Sequence, residues 1–574
     1  MRVNVRAGYA ASIGAMLGLR LYPLGQDEVH TFDKGARFQA PLGQSVNMHH
    51  TPTRFSEVVP VSDILPVVLH REVEVEVLPS DCACCWFPWT LASGDATAND
   101  NPLHAIWAVC RQDESVSRFV DDLIFGSAAC IQAMATVVEV DDAELNQQQL
   151  AAVARASSAK LTLVQGPPGT GKSEVAAAIV QQWVKDDTES VLVATSTHAA
   201  KDVLAERLRR RQIRPSTRAR NQRPQESKDS QVFVETVYMS SARTDRTVQK
   251  VLLDESSQIT TAAALVALTH GCEKLVLIGD PQQLGPVSSF GPVSSTSSFA
   301  AFAEERRSFF EVLADRFQLQ PHRLQVQHRM DSRLCEYPSH RFYGGQLETA
   351  ASVEVGGVAE RMFPPGLTFK AGTPGHPVVF VDTSEIQTCR EKLVPFFGSL
   401  SLHNRMEAQI VAELLHGFKE AAVDPSCMCV LTAYKAQDSL LAEAIHGSSS
   451  TERVKMRKGR TTMIREQGVD PLSKEPHPRI YTVDGFQGNE SDYVFYSAVR
   501  SGSTATGFVG NPQRLCVLLT RARRGLIIVG SRETLQHTEE WQQWLQSAEK
   551  QEFVVDDELV ARLQRREVAQ RGPL

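Results

Sequence analysis

The sequence predicts an α/β protein with two parallel-sheet domains in tandem, and two series of strand-like segments are the evidence. From about residue 141, apolar runs alternate with helical stretches: "KLTLVQ", "SVLVATS", "KVLLDES" and "KLVLIGD". A second series comprises "RLQVQHR", "PVVFVDT", "CMCVLTAY", "DYVFYSAV" and "GLIIVGS". Such apolar runs are typical of strands covered on both faces, as in parallel sheets flanked by helices. The two series therefore predict two α/β domains, with a boundary near residues 310–322.

The chain is predicted to divide into four regions. They are an N-terminal accessory region of uncertain fold (1–140), a first α/β domain (141–315), a second (316–550) and a charged helical tail (551–574). In the accessory region, "REVEVEV" alternates valine with glutamate, which predicts a half-buried antiparallel strand and, with helices, a small β module. The arginine-bearing first residues fit a targeting segment or an ordinary start. Two segments, 207–230 and 448–476, are expected to be irregular.

The composition is that of an ordinary globular protein and favours no single partner. The net charge of −7 argues against a globally basic nucleic-acid binder, although a local basic groove would be sufficient. The 11 cysteines are irregularly spaced, which indicates a reducing, cytoplasmic or nuclear location. Their one cluster, Cys82, Cys84 and Cys85, fits free thiols better than a zinc site. No apolar run reaches transmembrane length, so we expect no membrane association, and we expect a monomer.

The segment "GPPGTGKS" is the strongest motif in the chain. It follows the strand "KLTLVQ" and opens the helix "SEVAAAIVQQWV", the strand–loop–helix setting of a P-loop. Glycines let backbone N–H groups turn toward an anion, and the helix N-terminus adds positive potential. We expect Lys172 to reach the β- and γ-phosphates of ATP and Ser173 to ligate Mg²⁺. The expected phosphate-binding residues are Gly166, Pro167, Pro168, Gly169, Thr170, Gly171, Lys172 and Ser173.

Carboxylates and glutamines follow two later strands, where an open α/β sheet places its chemistry. "VLLDES" contains Asp254, expected to hold Mg²⁺, and Glu255, expected to orient and deprotonate the attacking water. "LVLIGDPQQLGPV" places Gln282 and Gln283 after a third strand. A glutamine amide can donate to a γ-phosphate and accept from water, so Gln283 fits a sensor of nucleotide state. Taken alone, the two glutamines would be a polar turn.

Three arginines, Arg521, Arg523 and Arg524, lie in "VLLTRARRGLIIVG", between two strand-like apolar runs. Guanidinium groups held between buried strands need an anionic partner, because an unpaired buried charge is costly. For Arg523 and Arg524, an ion pair at the surface is at least as good an interpretation.

The ordered set of motifs resembles superfamily 1B helicases, specifically the Up-frameshift-like group that includes the nonsense-mediated-decay helicase, senataxin and the immunoglobulin-mu-binding helicase. The resemblance extends over roughly residues 140–550. It rests on "LNQQQLAAV", "GPPGTGKS", "ATSTHAAKDVLAERL", "DESSQ", "GDPQQLGPV", "LQVQHRM", "YPSHRFYGGQL", "TAYKAQ", "TVDGFQGNESDYV" and "LLTRARRGLIIVG". It implies two RecA-like domains that bind ATP and Mg²⁺ in a cleft.

The resemblance also gives roles to residues on the adenosine side of the nucleotide. Gln149 matches the adenine-reading glutamine of the family, although with Asn146 it also fits a capping box at a helix start. His328 stands where the family usually has a base-stacking tyrosine, and Glu490 matches the ribose contact. Imidazole stacks with less area than phenol, which puts the affinity for the nucleotide in doubt.

Arg329 and Arg521 match the two arginine fingers of the family. The resemblance therefore implies that the anion facing Arg521 is the γ-phosphate of ATP held by the first domain. Closure would bring both guanidinium groups onto the transferring phosphoryl group, and product release would reopen the cleft.

Four threonines resemble family positions that contact the phosphates of a nucleic-acid strand, and small hydroxyl residues suit such close, sequence-blind contact. They are Thr197, Thr236, Thr432 and Thr482. Each of them alone would be an ordinary strand-end threonine. Where the family usually has a long helical insertion, this chain has a short arginine-rich segment spanning 207–223. That segment fits an electrostatic strip along a single strand or a disordered charged loop.

The sequence thus predicts an ATP-dependent helicase or translocase that acts on single-stranded RNA or DNA, and the resemblance implies movement from 5′ to 3′. One alternative is an ATP-gated clamp or remodelling scaffold that unwinds nothing. Another is a P-loop kinase or transport ATPase, against which the later motifs argue. Protein partners are expected at the accessory region. The motifs do not separate RNA from DNA, because the distinguishing 2′-hydroxyl contacts involve backbone atoms and loops.

Overall fold

The structure is a computed structural model of the 574-residue chain. It describes residues 2–6, 37–39, 45–47, 71–76, 105, 108–109, 116–126, 140–186, 189–217, 231–242, 247–286, 307–353, 377–396, 399–446, 454–457, 460–463, 478–502, 504 and 506–550.

Strands and helices alternate through most of the described chain. The strands are β1 Arg2–Arg6, β2 Arg37–Gln39, β3 Ser45–Asn47, β4 Arg71–Glu76, β5 Leu161–Gln165, β6 Val191–Thr195, β7 Ser216–Thr217, β8 Val232–Thr236, β9 Lys250–Asp254, β10 Lys274–Gly279, β11 His322–Arg323, β12 Val326–Gln327, β13 Glu348–Thr349, β14 Val378–Asp382, β15 Lys392–Phe396, β16 Ser399–His403, β17 Met428–Thr432, β18 Val454–Arg457, β19 Arg460–Met463, β20 Arg479–Thr482, β21 Ser491–Ser497 and β22 Ala522–Gly530. The helices are α1 Arg118–Phe125, α2 Gln147–Ser158, α3 Lys172–Asp186, α4 His198–Arg210, α5 Thr261–Leu268, α6 Phe309–Arg316, α7 Ser332–Tyr343, α8 Arg405–Glu420, α9 Lys435–His446, α10 Pro512–Leu519, α11 Arg532–Leu535 and α12 Glu539–Lys550.

Several helices begin at side chains that cap them. Asn146 before α2 and Ser308 before α6 each form a full capping box with the third helical residue. Asn404 accepts a hydrogen bond from the backbone of α8, and Asn511 does the same for α10. These caps satisfy N–H groups that have no partner inside the helix, so they define where each helix starts.

The described chain forms two compact units. The first contains the described residues up to Gly166, together with Gly171–Pro281 and Gly285–Leu324. The second contains Pro167–Thr170, Gln282–Leu284 and the described residues from Gln325 onward.

A seven-stranded parallel sheet forms the centre of the first unit, in the order β11-β5-β10-β9-β6-β8-β7. Alternate residues of its strands belong to two separate buried clusters, with Leu161 and Leu163 in one and Val164 in the other. Both faces are therefore covered, which is why these strands read as continuous apolar runs. Parallel strands end at a common edge, and Thr195, Thr236 and Asp254 lie there in register.

The second unit has a five-stranded parallel sheet in the order β14-β22-β21-β17-β20. Its strands again alternate between two buried clusters, with Phe380 in one and Val379 and Val381 in the other. At the carboxyl edge of this sheet, Thr432 is in register with Thr482 and Ser497. The predicted pair of parallel α/β domains is confirmed.

Two predictions of local structure are wrong, and the prediction that segments 207–230 and 448–476 are irregular is wrong for parts of them. "RLQVQHR" forms only two-residue strands, and the first of them, β11, pairs with β5 of the first sheet. The apolar run before Arg521 ends helix α10 and is not a strand; its residues are buried on all sides, which hides the helical period. Segment 448–476 contains the antiparallel hairpin β18–β19, and segment 207–230 starts as the last turn of α4.

In the accessory region, the predicted antiparallel strand is confirmed, because β4 pairs with β1. The cysteine cluster at 82–85 and the predicted tail at 551–574 lie outside the described residues. Within the described residues, no helix is long and apolar enough to cross a membrane.

Candidate functional site

The predicted phosphate-binding loop connects β5 to α3 and has the backbone that such a loop needs. Gly169 and Gly171 have φ values of +77° and +82°. A Cβ on Gly171 would lie 2.6 Å from Gln149 Nε2, so both conformation and space favour glycine there. Lys172 Nζ donates to the carbonyl oxygen of Gly166 at 2.7 Å. The ammonium group therefore lies folded over the loop, where a phosphate could take the place of that carbonyl.

Asp254 and Glu255 lie at the carboxyl end of β9, as predicted. Asp254 is buried, and Glu255 has a left-handed φ of +53°. A non-glycine residue in this region is strained, and such strain clusters at functional sites. Burial, and next the charge of Glu255, raise the pKa of Asp254 to about 7. The backbone N–H of Glu255 donates to Asp254 Oδ1 at 2.9 Å, which holds the Asp254 carboxyl group against the backbone of Glu255.

The oxygen ligands near the phosphate-binding loop fit Mg²⁺. This ion prefers oxygen ligands and commonly takes one or two carboxylates together with phosphate oxygens and water. Asp254 offers a buried carboxyl group, and Ser173 offers a hydroxyl in the first turn of α3. Among the described residues, no group of three or more His, Cys, Asp or Glu side chains is placed to hold a metal ion.

Gln258 connects Glu255 to the end of the adjacent β-strand, β6, in the first unit. Its Nε2 donates to Glu255 Oε2 at 3.4 Å, and its Oε1 accepts from Ser196 Oγ at 3.2 Å. Ser196 precedes Thr197, which caps helix α4. The sequence had shown Gln258 only as the last letter of "DESSQ", without a role. These hydrogen bonds place Gln258 between Glu255, which is expected to activate water, and Ser196, which precedes an expected contact with nucleic acid.

Gln149 occupies the capping position that the sequence allowed. Its Oε1 accepts from the backbone of Asn146 at 3.0 Å, and Asn146 Oδ1 accepts from the backbone of Gln149 at 3.0 Å. The capping box is thus confirmed, while the contact with adenine stays a prediction. His328 is exposed, and its backbone N–H donates to the carbonyl oxygen of Gly169 in the phosphate-binding loop at 2.8 Å.

Arg521, the residue before β22, is only 1% exposed. Its guanidinium donates to the carbonyl oxygens of Val517 at 2.9 Å and Asn489 at 3.1 Å. It also donates to Thr520 Oγ1 at 3.1 Å and to Gln283 Oε1 at 3.0 Å. Gln283 is buried and belongs to the same unit. The predicted arginine finger and the predicted sensor are therefore in direct contact.

Glu490 lies between two arginines, with Arg329 Nε and Arg523 Nη2 both donating to its carboxylate. Burial alone would raise the pKa of Glu490, but the charges and hydrogen bonds of Arg329 and Arg523 outweigh it and lower the pKa to about 2. Arg329 also donates to the carbonyl oxygen of Thr520 at 3.1 Å. The predicted ribose contact and one predicted finger thus form an ion pair.

Arg523 and Arg524 are surface residues, 50% and 55% exposed along their side chains. Arg524 Nε lies 3.5 Å from Asp492 Oδ2, and Arg523 pairs with Glu490. The interpretation of these two arginines as members of surface ion pairs is confirmed.

The four threonines that are predicted to contact nucleic acid lie at the carboxyl edges of the two sheets. Thr236 ends β8, and Thr197 follows the adjacent β6 and accepts a hydrogen bond from the backbone of α4. In the second unit, Thr432 and Thr482 are in register, and Thr482 Oγ1 accepts from the backbone N–H of Gly485 at 3.2 Å. These are also the bonds of ordinary capping threonines, so contact with a strand stays a prediction.

Arg207 and Arg211 of the arginine-rich segment form ion pairs inside the first unit. Arg211 donates to Glu174 Oε1 at 2.8 Å and to Asp142 Oδ2 at 2.6 Å, and its side chain is 7% exposed. Arg207 donates to Glu174 Oε2 at 2.6 Å. The prediction of an exposed strip is therefore wrong for Arg211, which ties α4 to the first turn of the phosphate-loop helix. Arg218, Arg220 and Arg223 lie outside the described residues.

A buried polar network in the second unit was missed by the sequence reasoning. Glu407 is fully buried and accepts hydrogen bonds at 2.7 Å from Ser497 Oγ and from the backbone of Val499. Gln437 Nε2 donates to Ser497 Oγ at 2.9 Å and to the carbonyl oxygen of Asn404 at 3.0 Å. Val499 has φ +69°, a strained conformation for a β-branched residue. The network therefore holds a strained turn beside Thr432; the signal for it was an Asn and a Glu at capping spacing in "HNRMEA".

We expect Glu407 to make stability depend on pH. Burial raises the pKa of Glu407 to about 8 from an ordinary 4.5, despite the hydrogen bonds from Ser497 and Val499. Between these two values the folded protein keeps a proton that the unfolded chain has lost, so stability falls as pH rises through this window. The slope is at most about 1.4 kcal/mol per pH unit for one proton.

Urea unfolding of wild type and Glu407→Gln from about pH 6 to about pH 9 measures this effect. Glutamine cannot ionise, so the difference in unfolding free energy between the two proteins should move in favour of the variant as pH rises. Parallel pH profiles would show that Glu407 does not hold its proton in the folded state.

Comparison with known proteins finds relatives that match most of this chain. Two family models match, both described as an AAA domain, over residues 144–303 and 305–533. The chain is 27% identical to the "Regulator of nonsense transcripts 1 homolog" of Neurospora crassa, over 84% of this chain and 46% of that protein. It is 30% identical to the Arabidopsis thaliana "Regulator of nonsense transcripts 1 homolog", over 72% of this chain and 35% of that protein.

A yeast relative carries an activity in its name. The chain is 28% identical to the "ATP-dependent helicase NAM7" of Saccharomyces cerevisiae, over 70% of this chain and 43% of that protein. The chain therefore spans less than half the length of these curated relatives. Among solved structures, an arterivirus nonstructural protein 10 helicase with DNA matches at 17% identity and a TM-score of 0.35, over 68% of this chain and 64% of that one.

Proposed function

We propose, from the premise that the chain belongs to the Up-frameshift-like helicase family, that it is an ATP-dependent helicase or translocase acting on single-stranded RNA or DNA. One observation carries the proposal. The carboxyl edge of the seven-stranded sheet combines the phosphate-binding loop after β5, the carboxylates after β9 and the threonines after β6 and β8. An ATP-hydrolysing set and a strand-contacting set thus share one edge of one sheet.

Residues at the carboxyl edge of the seven-stranded sheet supply the chemistry of hydrolysis. Lys172 and the loop N–H groups bind the phosphates, and Ser173 and Asp254 are the residues that would hold Mg²⁺. When bound, Mg²⁺ would offset the charge of the phosphate oxygens. Glu255 accepts a proton from a water molecule whose oxygen attacks the γ-phosphorus. The bond from that phosphorus to the β–γ bridging oxygen breaks, and ADP and phosphate result.

The second unit contributes positive charge and contacts with the nucleoside. Arg329 and Arg521 stabilise charge on the transferring phosphoryl group, and Gln283 senses the γ-phosphate. Glu490 contacts the ribose. Its ion pair with Arg329 supports a switch in which the arginine exchanges the carboxylate for the phosphate.

Contacts on the adenine side remain part of the proposal. Gln149 pairs with the base through its amide, and His328 stacks on it. Gln149 Oε1 is used in the capping box, and its Nε2 points toward the loop at Gly171. This arrangement supports a role in which one amide group both starts α2 and borders the nucleotide.

The protein moves along single-stranded nucleic acid if ATP hydrolysis changes how each unit holds that nucleic acid. Thr197 and Thr236 grip phosphates from the first unit, and Thr432 and Thr482 from the second. The hydrogen bonds of Gln258 to Glu255 and Ser196 provide a route from the hydrolytic residue to the strand contact. We propose 5′ to 3′ stepping by a cytoplasmic or nuclear monomer whose accessory region binds protein partners.

Steady-state ATPase measurements without polymer, with poly(U) and with poly(dT) test this function. We expect single strands to stimulate hydrolysis, and we expect the stimulation to fall with salt because phosphate contacts release counterions. A larger effect of one polymer would identify the preferred strand. Equal rates with and without polymer would favour a P-loop kinase or transport ATPase instead.

A further inference from the structure

Phe508 is an exposed aromatic residue in the second unit. Among the described residues, the exposed large apolar side chains are Val203, Tyr238, Leu393, Leu400 and Phe508. Phe508 is 56% exposed. A single exposed apolar side chain is ordinary on a protein surface. Phe508 differs because its backbone is anchored and its ring is held in one orientation.

The turn that carries Phe508 is fixed on both sides. Residues Gly507–Gly510 form one short 3-10 turn between β21 and α10. Val509 is buried, and its carbonyl oxygen accepts a hydrogen bond from Trp541 Nε1 at 2.8 Å. Gly507 has φ +58°, and a Cβ there would lie 3.3 Å from the Tyr434 hydroxyl. The buried neighbour and the close approach leave the phenylalanine side chain pointing outward.

Two side chains support the ring. Tyr434 meets it edge to face, with ring centroids 6.1 Å apart and an interplanar angle of 74°. The guanidinium carbon of Arg514 lies over the ring, 4.8 Å from its centroid. Arg514 is itself fixed by two hydrogen bonds of 2.8 Å to Asp484. The ring therefore has a cation over one face, and it is ordered before any ligand binds.

These supports connect the ring to the two predicted strand contacts of the same unit. The backbone N–H of Tyr434 lies 3.5 Å from Thr432 Oγ1. Asp484 follows Thr482 in the short turn after β20. Thr432 and Thr482 are neighbours in the parallel ladder. Tyr434, two residues after Thr432, thus supports the ring directly. Asp484, two residues after Thr482, supports it through Arg514.

We propose that Phe508 is a base-stacking platform, on which an unpaired nucleobase of the strand packs against the ring face opposite Arg514. The proposal rests on the proposed function and adds a contact with a base to the phosphate contacts expected from the threonines. Stacking on an aromatic ring is tolerant of sequence because every base has a π-face. The platform therefore suits a protein that moves along a strand, and the contact is available to RNA and DNA alike.

Fluorescence anisotropy with labelled oligo(U), oligo(dT) and a fully abasic deoxyribose-phosphate strand of equal length tests the platform. Phe508→Ala should weaken binding to both base-bearing strands about 5- to 150-fold, the scale of one lost base stack. Binding to the abasic strand should equal that of wild type. The dependence of affinity on salt should also be unchanged, because no phosphate contact is removed.

Two further variants separate stacking from exposure of an apolar surface. Phe508→Trp should retain the affinity of wild type, and Phe508→Leu should resemble Phe508→Ala. Leu393→Ala is the matched control, because Leu393 is 61% exposed on the hairpin β15–β16 of the same unit and its removal should not change binding. Thermal unfolding should show that Phe508→Ala remains folded.

Wild-type affinity of Phe508→Ala for the base-bearing strands would refute the platform while leaving the proposed function standing. An equal loss on the abasic strand would also refute it, since the lost contact would then be to the backbone. If wild type binds none of the three strands, the proposed function fails and the platform fails with it.

Discussion

Lys172→Ala is expected to lower kcat for ATP hydrolysis by roughly 10²- to 10³-fold or more, the scale of losing one donor to the developing charge. The side chain is the P-loop ammonium, and its Nζ donates to the carbonyl oxygen of Gly166. It is only partly buried, so its removal should change the free energy of unfolding by no more than about 0.5 kcal/mol. Hydrolysis and thermal unfolding of the purified variant measure the two effects.

Lys185→Ala is the matched control for this variant. Lys185 lies in the last turn of the same helix, α3, and is exposed, so removing it should leave hydrolysis unchanged. Wild-type hydrolysis by Lys172→Ala would contradict the assignment of the phosphate-binding loop. Loss of activity in both variants would point to damage of the helix.

Arg521→Ala is expected to lower kcat by roughly a thousandfold, the scale of an arginine finger, with a much smaller effect on ATP binding. The structure adds a second effect. The guanidinium is buried and donates to Val517, Asn489 and Thr520, so the variant leaves buried acceptors without a donor, which costs about 1–3 kcal/mol for each such group. Arg521→Lys keeps the charge but loses the planar fork, and it should also be slow while disturbing stability less.

Single-turnover hydrolysis and equilibrium ATP binding, measured on Arg521→Ala, Arg521→Lys and Arg329→Ala, separate these effects. The Arg329 and Arg521 variants combined should lose less than the sum of their single effects, because both residues act on one closed state. Arg524→Ala is the control and should stay within a few-fold of wild type, since Arg524 is half exposed and lies 3.5 Å from Asp492. If Arg524→Ala is as slow as Arg521→Ala, the arginines stabilise the β-strand β22 and do not act on the nucleotide.

The parallel sheets could be predicted because their strands are buried on both faces. Strands such as "KVLLD" and "KLVLIG" then carry apolar residues without alternation, and the polar residues that follow mark the functional edge. The phosphate-binding loop could be predicted for a related reason, since its glycines need left-handed φ values. In both cases one local requirement dictates the residue types.

Contacts between distant segments could not be predicted in this way. The network of Glu407 and Gln437 joins residues that are separated by tens of positions, and no local pattern shows which segments meet. The same holds for Arg211, whose charge suggested a surface strip until Asp142 and Glu174 were found beside it. Helix α10 was missed because its last five residues, Leu515–Leu519, are all buried, which removes the period that identifies a helix.

Phe508 is the clearest example of a residue that the sequence hides. An isolated phenylalanine between glycine and valine suggests core packing, and Val509 beside it is indeed buried. Only the turn geometry and the positions of Tyr434 and Arg514 show that the ring faces outward. Exposure of this kind depends on tertiary structure and leaves no mark in composition or spacing.

Strand displacement by the purified full chain tests the central claim most directly. The substrate is a labelled duplex with either a 5′ or a 3′ single-stranded tail, made in RNA and in DNA. We predict ATP-dependent release of the labelled strand from the 5′-tailed duplex, no release from the 3′-tailed duplex, and none by Lys172→Ala. Stimulated ATP hydrolysis without displacement from either tail would contradict this account and would identify the protein as an ATP-gated clamp.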